Sequence, residues 1–486
     1  MRDNNTKTPS KWLIFVLVAI AQFMVVLDGS ITNVALPTIR QQLHFSTSML
    51  QWVVTAYALS FGGFLLLGGR AADLFGRRKI LLIGMVAFTT FSLLIGLSHT
   101  PAQLIVLRSL QGLSGAFMTP AALSIVLVTF RDGPDRNKAL SYWTLVATGG
   151  AALGLLLGGV LTEYLGWRWN FFINVPIGII MTILISRYVP VREKEETKKG
   201  LDIRGAVLAT SSLMLLVLAF SQAPQWGWLS VSTLVSLAVA AVLLAAFIFN
   251  ESRVKQPLMP LSIFKIRNVR GANLIMAPMT ATMFGTFFLL TLYFQGVLHF
   301  TPVIAGFAFL PFPVMLGFMS TRMPGLVHRY GFKRFMIIGP LVVAAGILWL
   351  SQLHSGSSYW LGVLPAIIVM PLGIGMTMMP TIAAATSGVP GHEAGIASGL
   401  ISTSQQMGGA LGLSILSGAA ATVMANSIHL GAVEASVRGY HAAFLIAAVF
   451  ILLACLSAIL VIRSPKHPAP EHAAALKPQL QSSVGH

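Results

Sequence analysis

Runs of roughly twenty predominantly apolar residues recur along this chain with only short polar gaps between them, and a run of that length is what a helix needs to cross a bilayer. The runs fall at 12–36, 48–69, 79–98, 101–129, 138–161, 169–189, 203–222, 229–249, 269–298, 302–321, 334–351, 359–385, 394–424 and 439–462. This pattern predicts an all-α membrane protein with fourteen spans. Composition agrees: 55% of the 486 residues are hydrophobic and 9% are charged, whereas a soluble chain carries about a quarter charged. The 45 glycines and 24 prolines lie largely inside apolar runs, where lipid-embedded helices use them for close packing. Lys7 and Lys11 ahead of the first run resemble a signal peptide, but the run continues to Leu36. That is too long for such a segment and it ends without a small-residue cleavage site, so it reads as a retained first helix.

An even number of spans returns the chain to the side on which it began. Of the 32 lysines and arginines, Arg40, Arg168 and Arg438 fall in one set of alternate loops, Arg108 falls inside a span, and the rest fall in the other set or the termini. Positive loops stay inside, so both termini are expected in the cytoplasm of a cell whose inner membrane holds the chain. The same distribution explains the net charge of +18 without nucleic acid, which would call for basic and aromatic residues clustered on one face. The single cysteine, Cys455, excludes an intrachain disulfide.

The chain echoes itself weakly, as transporters built from two related halves do. Gly76, Ile83 and Gly84 recur as Gly331, Ile338 and Gly339, and Gly115, Met118 and Pro120 recur as Gly375, Met378 and Pro380. The fourth span thus maps to the twelfth, and two central spans are surplus. The expected organisation is a six-helix bundle at 1–200, two inserted helices at 201–250, a second bundle at 251–462 and a disordered cytoplasmic tail at 463–486. The charged stretch from Arg187 to Arg204 reads as the linker leaving the first bundle.

Two charges sit deep in hydrocarbon. Asp28 stands in VVLDGSITNVALP and Arg108 in IVLRSLQG. A charge at that depth costs about 3 kcal/mol or more, so it usually faces a bundle interior. Asp28 precedes the end of its run by about 12 Å and Arg108 follows the start of its run by about 10 Å, at 1.5 Å per residue. Both are therefore expected at one level, in the outer half of the membrane. Two readings are open: a structural ion pair that lets both helices insert, or a carboxylate that titrates. Desolvation raises a carboxylate's pKa and a neighbouring arginine lowers it, so Asp28 beside a watery path would bind a proton in one state and release it in another. The position equivalent to Arg108 in the second half is Ile368. The second half supplies neutral polar groups, Tyr293, Gln295, Gln405 and Gln406, as candidates for a substrate cavity or for ordinary contacts between helices. Asn33, Tyr57 and Gln111 are cavity candidates in the first half.

The segment GRAADLFGRRK holds Gly69, Asp73, Gly76, Arg77 and Arg78, and the next loop on that side holds Arg131 and Arg136. Asp73 can cap the following helix or pair with Arg131 or Arg136, making a cytoplasmic gate; a solvated turn is the plainer alternative. Gly150, Gly154 and Gly158 recur every four residues, with Gly159 beside them, and present one smooth face to a neighbouring backbone. With Gly408 and Gly412 they suggest sliding contacts between bundles. Trp167, Trp169, Phe171 and Phe172 read as an interfacial aromatic belt.

These segments together are similar to a known family. LDGSITNVALP, GRAADLFGRRK, LRSLQGLSGA and GWRWNFFINVPIG resemble signatures of the fourteen-helix drug–proton antiporter branch of the major facilitator superfamily, over nearly the full length. The resemblance implies a fold of two six-helix bundles plus two inserted helices and proton-coupled efflux of small lipophilic or amphiphilic compounds by alternating access. It also implies a part for Arg108 in proton transfer. The proton gradient would supply the energy, with no cofactor, and the expected partners are a small lipophilic substrate, protons and the lipid bilayer, with the chain acting as a monomer. One departure is Leu155, which stands where the family's fifth-helix signature has proline. The late helices lack the acids that relatives use for dicationic drugs, which favours monovalent cations or neutral amphiphiles. An enzyme is not expected: HEAGI at 392–396 lacks the second histidine of a zinc site, and no phosphate-binding glycine loop or nucleophile elbow occurs. The other reading is an importer or uniporter of a small organic solute, although the sugar-importer signature is absent at RYVPVRE.

Overall fold

In lipid a backbone N–H or C=O finds no water, so each apolar run must satisfy its polar groups internally, as helix. The computed structural model describes residues 10–130, 134–190, 202–254, 257–386, 389 and 394–462, and the helices follow the runs closely. They are α1 (Lys11–Leu43), the short α2 (Thr47–Leu50), α3 (Trp52–Phe75), α4 (Arg77–Gly96), α5 (Pro101–Thr129) and α6 (Pro134–Tyr164). The single turn α7 (Trp169–Phe172) leads into α8 (Asn174–Tyr188), and α9 (Ile203–Trp226) and α10 (Val231–Arg253) follow. Then come α11 (Arg267–Gly296), α12 (Pro302–Phe309), α13 (Pro311–Tyr330), α14 (Phe332–Leu350), α15 (Leu364–Thr386), α16 (Ala394–Asn426) and α17 (Ala432–Leu460). Thirteen of the resulting segments are long and apolar enough to cross a membrane, and the 31-residue α6 completes fourteen. Arg131, most of the expected linker and the tail from residue 463 lie outside the described residues.

The largest differences from expectation are at helix ends. Helix α1 passes through Pro37 to Leu43, and α13 passes through Pro324 to Tyr330. Hydropathy ends where polar side chains begin, whereas a helix continues while its neighbours still cover one face. The residues Ile39 and Leu43 are buried although Arg40, Gln41 and Gln42 between them are exposed.

The internal echoes mark equivalent packing. Gly84 brings α4 onto α5, where an added Cβ would stand 3.1 Å from the Ser114 carbonyl; Gly339 brings α14 onto α15, where it would stand 2.7 Å from the Gly373 carbonyl. Gly76 and Gly331 have φ of +98° and +78° and make the same one-residue turn between consecutive helices, a conformation glycine adopts without the Cβ penalty. The two halves are joined unevenly. At the end away from the termini one apolar core runs from Val34, Ile39 and Val53 into Phe288, Phe294 and Phe309. At the termini end the first half has its own core around Val18, Leu81 and Phe88, and a small patch linking Leu67 to Leu258 reaches the second half's side.

The α9–α10 hairpin lies outside both bundles. Helix α9 packs on α3 of the first half and on α16 of the second. Bonds from Trp52 Nε1 to Ser221 Oγ (3.1 Å) and from Trp228 Nε1 to Thr422 Oγ1 (3.2 Å) fasten it to each. Along α10, Val235, Val242, Ile248 and Phe249 are exposed, an apolar surface that only lipid covers without cost.

Candidate functional site

A lone carboxylate in hydrocarbon must find donors, and Asp28 finds three. Its Oδ2 accepts from Arg108 Nη1 at 2.5 Å, and its Oδ1 accepts from Gln111 Nε2 at 2.9 Å and from Asn174 Nδ2 at 3.0 Å. Arg108 is held in turn by the Val53 carbonyl (2.9 Å from Nε) and by Gln111 Oε1 (2.6 Å from Nη1). Its guanidinium carbon lies 4.3 Å from the centre of the Tyr57 ring and 5.7 Å from that of Phe171. Gln111 also donates to Ser92 Oγ at 2.8 Å. Asp28 and Arg108 are 0% and 1% exposed. The cluster therefore ties α1, α3, α4, α5, α7 and α8 together through one neutral, dry ion pair. Desolvating two charges is costly, and only such complete hydrogen bonding makes a buried pair tolerable.

The equal depth counted from sequence is thus direct contact. The watery path expected beside Asp28 is not what this conformation shows, because every oxygen of that carboxylate is occupied by protein and none reaches solvent. Asn174, Ser92 and Phe171 belong to the cluster and were not singled out for it. The first two are neutral polar residues of ordinary appearance; the signal was their position in spans beside the charges. The aromatic belt needs correction: Trp167 and Phe171 are completely buried and only Trp169 is substantially exposed. Trp167 donates from Nε1 to Gln42 Oε1 at 2.9 Å, fixing the end of α1 against α7. Tryptophan at a helix end is as well suited to clamping a neighbour as to lipid headgroups.

The other candidates fall into separate places. Gln111 and Tyr57 belong to the ion-pair cluster, and the Tyr57 hydroxyl is buried there without a partner. Asn33 donates to the Gly29 carbonyl of its own helix at 3.0 Å. Tyr293 is buried in the second half and donates to the His354 carbonyl at 3.3 Å. Gln295 crosses between halves, donating to the Val34 carbonyl at 2.9 Å, and it borders a cavity of about 680 Å³ with Arg40, Gln41, His44 and Tyr440 at the end away from the termini. Gln405 contacts Met276 Sδ at 3.4 Å, and Gln406 packs so tightly on α3 that a Cβ on Gly62 would stand 2.6 Å from its own. Gln406 therefore lies where α16 faces the first half, and Gln405 where it faces α11 of the second.

At the termini end Asp73 accepts from Arg77 Nη2 at 3.3 Å. Arg78 donates to the Ser186 carbonyl of α8, Gly69 faces Pro120 of α5, and Arg136 stands in the first turn of α6. Gly150, Gly154 and Gly158 face α1 at Phe23, Leu27 and Ile31, all within the first half. Gly408 and Gly412 face α11 at Ala277 and Ala281 in the same manner. The stripes therefore cement α6 to α1 and α16 to α11 rather than forming a sliding surface between bundles. The contact between halves is made beside them: a Cβ on Gly159 would stand 2.6 Å from the Pro302 carbonyl, and one on Gly306 2.6 Å from the Leu155 carbonyl. With the bond from Val303 N to Glu163 Oε2 (2.9 Å) and that from Ser417 to Gln51, they shut the end away from the termini.

Fourteen spans in two echoing halves, an inserted hairpin and a paired intramembrane charge define a membrane transporter, a protein that moves solutes and performs no chemistry on them. The chain belongs to the Major Facilitator Superfamily, whose family pattern matches residues 18–413. It is 38% identical over 476 residues to the puromycin resistance protein pur8 of Streptomyces alboniger, covering 96% of this chain and 94% of that one. It is 39% identical over 414 residues to the cephamycin export protein CmcT of Amycolatopsis lactamdurans, covering 85% of each. Among solved structures it resembles a bacterial homologue of the lysosomal transporter Spinster, with a TM-score of 0.67 at 14% identity over 94% of this chain and 97% of that one. It also resembles the POT family transporter PepTSo, with a TM-score of 0.67 at 15% identity over 98% and 99% of the two chains. At those identities the likeness concerns the fold.

Proposed function

We propose that the chain is a proton-driven exporter of small lipophilic or amphiphilic compounds, acting as a monomer in the inner membrane with both termini in the cytoplasm. The observation that carries this reading is the Asp28–Arg108 pair. These are opposite charges deep in the spans, and they join α1 to α5 with no equivalent ion pair among the described residues of the second half. On this reading the structure is the state closed to the outside, with Gln295, Glu163 and Gln51 holding the outer seam and Asp28 ionised. A proton arriving at Asp28 removes its charge, releases Arg108 to the Val53 carbonyl and Gln111, and loosens α1 from α5. Because α1 also carries Val34 of the outer seam, that loosening is transmitted to the gate. Export rather than import is supported by the relatives, whose described roles are resistance to or export of puromycin, cephamycin and tetracenomycin C. The inward-facing membrane leaflet or the cytoplasm supplies cargo, and the proton gradient supplies energy.

The test is transport in reconstituted vesicles. With a proton gradient imposed, a lipophilic fluorescent dye should move against the direction of proton flow. Asp28→Asn should insert and purify as wild type does while losing gradient-driven movement. Undiminished exchange in that variant would remove Asp28 from the mechanism, and dye moving together with protons would make the chain an importer.

A further inference from the structure

A second pair of ionisable groups is buried outside the Asp28 cluster, at the base of the α9–α10 hairpin. Asp202 and Glu251 are 7% and 4% exposed. Asp202 caps α9: its Oδ1 accepts from Gly205 N at 2.8 Å, and its Oδ2 accepts from Asn250 Nδ2 at 2.8 Å. Glu251 Oε2 accepts from Met259 N at 2.9 Å, whereas its Oε1 is buried and receives no hydrogen bond. That orphan oxygen points at Asp202. A Cβ on Gly205 would stand 2.5 Å from Glu251 Oε1 and 2.7 Å from Asp202 Oδ2, so the two oxygens flank one point above the glycine. The residue there has no side chain, and its absence is what lets the carboxyl groups meet.

Two ionised carboxylates facing each other away from water repel, and an unpaired buried oxygen is costly in its own right. One proton removes both penalties, since a protonated acid is a donor as well as an acceptor. The surroundings say which carboxyl takes it. Asp202 caps the amino end of α9, and donors already occupy both of its oxygens, the Gly205 amide on Oδ1 and Asn250 Nδ2 on Oδ2. Glu251 has one amide donor and no such end. Among the described charged groups, Arg70 of α3 lies within electrostatic reach of Glu251; it donates from Nη2 to the Pro257 carbonyl at 3.0 Å, and its Nη1 is buried without reaching Glu251 or any other acceptor. Arg253 turns over the Phe249 ring at 4.7 Å, Arg204 is exposed, and α16 carries no charged residue.

We propose that Glu251 is held as the neutral acid, donating from Oε1 to Asp202 Oδ2, and that this clasp is a second proton-binding site, separate from Asp28. Its position gives it a readout. The segment after α10 is pinned to Glu251 through Met259 N and to α3 through the Pro257 carbonyl and Arg70. Loss of the proton sets two charges against each other at that anchor and frees the connection that leads into the second half. The hairpin thereby senses the pH of the compartment that bathes the termini end.

The test uses the full-length protein in lipid nanodiscs and reads thermal stability across about pH 5.5 to 8.5. A buried acid that keeps its proton contributes stability at low pH and loses it as pH rises. The wild-type Tm should therefore fall with rising pH by several degrees more than that of Glu251→Gln, whose amide makes the same bond to Asp202 and does not titrate. An infrared difference spectrum should lose a protonated-carboxyl band in Glu251→Gln and keep it in Asp28→Asn. Equal slopes in wild type and Glu251→Gln would overturn the proposal, as would a Glu251→Gln protein destabilised alike at both ends of the range. Neither readout involves transport, so failure here leaves the export reading untouched.

Discussion

The Asp28–Arg108 contact makes a prediction with a definite size. The two charged groups are joined at 2.5 Å, with charge centres roughly 4 Å apart. At an effective dielectric of about 20 this is about 4 kcal/mol. Removing one partner of a buried pair generally costs about 3–5 kcal/mol, because the other charge is left stranded. The structure makes the two single variants unequal. Asp28→Asn leaves Arg108 with the Val53 carbonyl, Gln111 Oε1 and the Tyr57 face, so its cost should lie near the lower bound. Arg108→Leu leaves a carboxylate with the neutral donors Gln111 and Asn174 alone, and should lie near the upper bound until the acid takes up a proton. The double variant removes both charges and should be less damaged than the sum of the singles by at least about 2 kcal/mol. Reversible denaturation of the four proteins in mixed micelles measures this directly. Additivity within about 0.5 kcal/mol would show that the pair is not an energetic unit, and the mechanism built on its breakage would fall with it.

The glycine stripe gives a contrast of neighbours. Gly158→Val should cost about 1–3 kcal/mol through overpacking, since a Cβ there would stand 2.7 Å from the Ile31 carbonyl. Gly149→Ala, with open space around it, should be neutral or stabilising by up to about 1 kcal/mol; melting curves separate the two. Gln295→Ala removes one bond across the outer seam, about 1 kcal/mol. In a Cys455→Ser background, a cysteine placed at Leu36 should then be labelled about fivefold faster by a membrane-impermeant maleimide. An unchanged labelling rate would mean that Gln295 does not help close that end.

Legibility in the sequence followed from cost. A charge in an apolar run is so expensive that Asp28 and Arg108 stood out at once, and counting residues at a fixed rise placed them at one level. Their neutral partners did not stand out, because Asn174 and Ser92 pay little for their surroundings and resemble any polar residue in a span. Gln111 was singled out for a cavity and sits in the ion-pair cluster; which face of α5 it occupies depends on neighbours that periodicity in a uniformly apolar helix does not reveal. The same blindness applies to Trp167, whose composition suits a headgroup region and whose packing is interior. Helix ends past Pro37 and Pro324 were hidden because hydropathy reports the lipid, while helix persistence reports the neighbouring protein. Gly76 and Gly331 were readable as a pair, since each makes a turn at positive φ that leaves little alternative to glycine.

The placement of α9 has a consequence for how lipid meets the junction between the halves. The two halves of such a fold meet along two flanks, and α9 roofs one of them by resting on α3 and α16 together. The other flank, where α6 meets α12 and α13, bears the exposed Leu153, Val160, Ile304, Phe307 and Val314. Acyl chains can therefore touch the junction from one side of the molecule and not from the other. The hairpin that makes this a fourteen-helix protein thus gives the two flanks of the junction unlike surroundings, protein over α3 and α16 and acyl chains over α6 and α12.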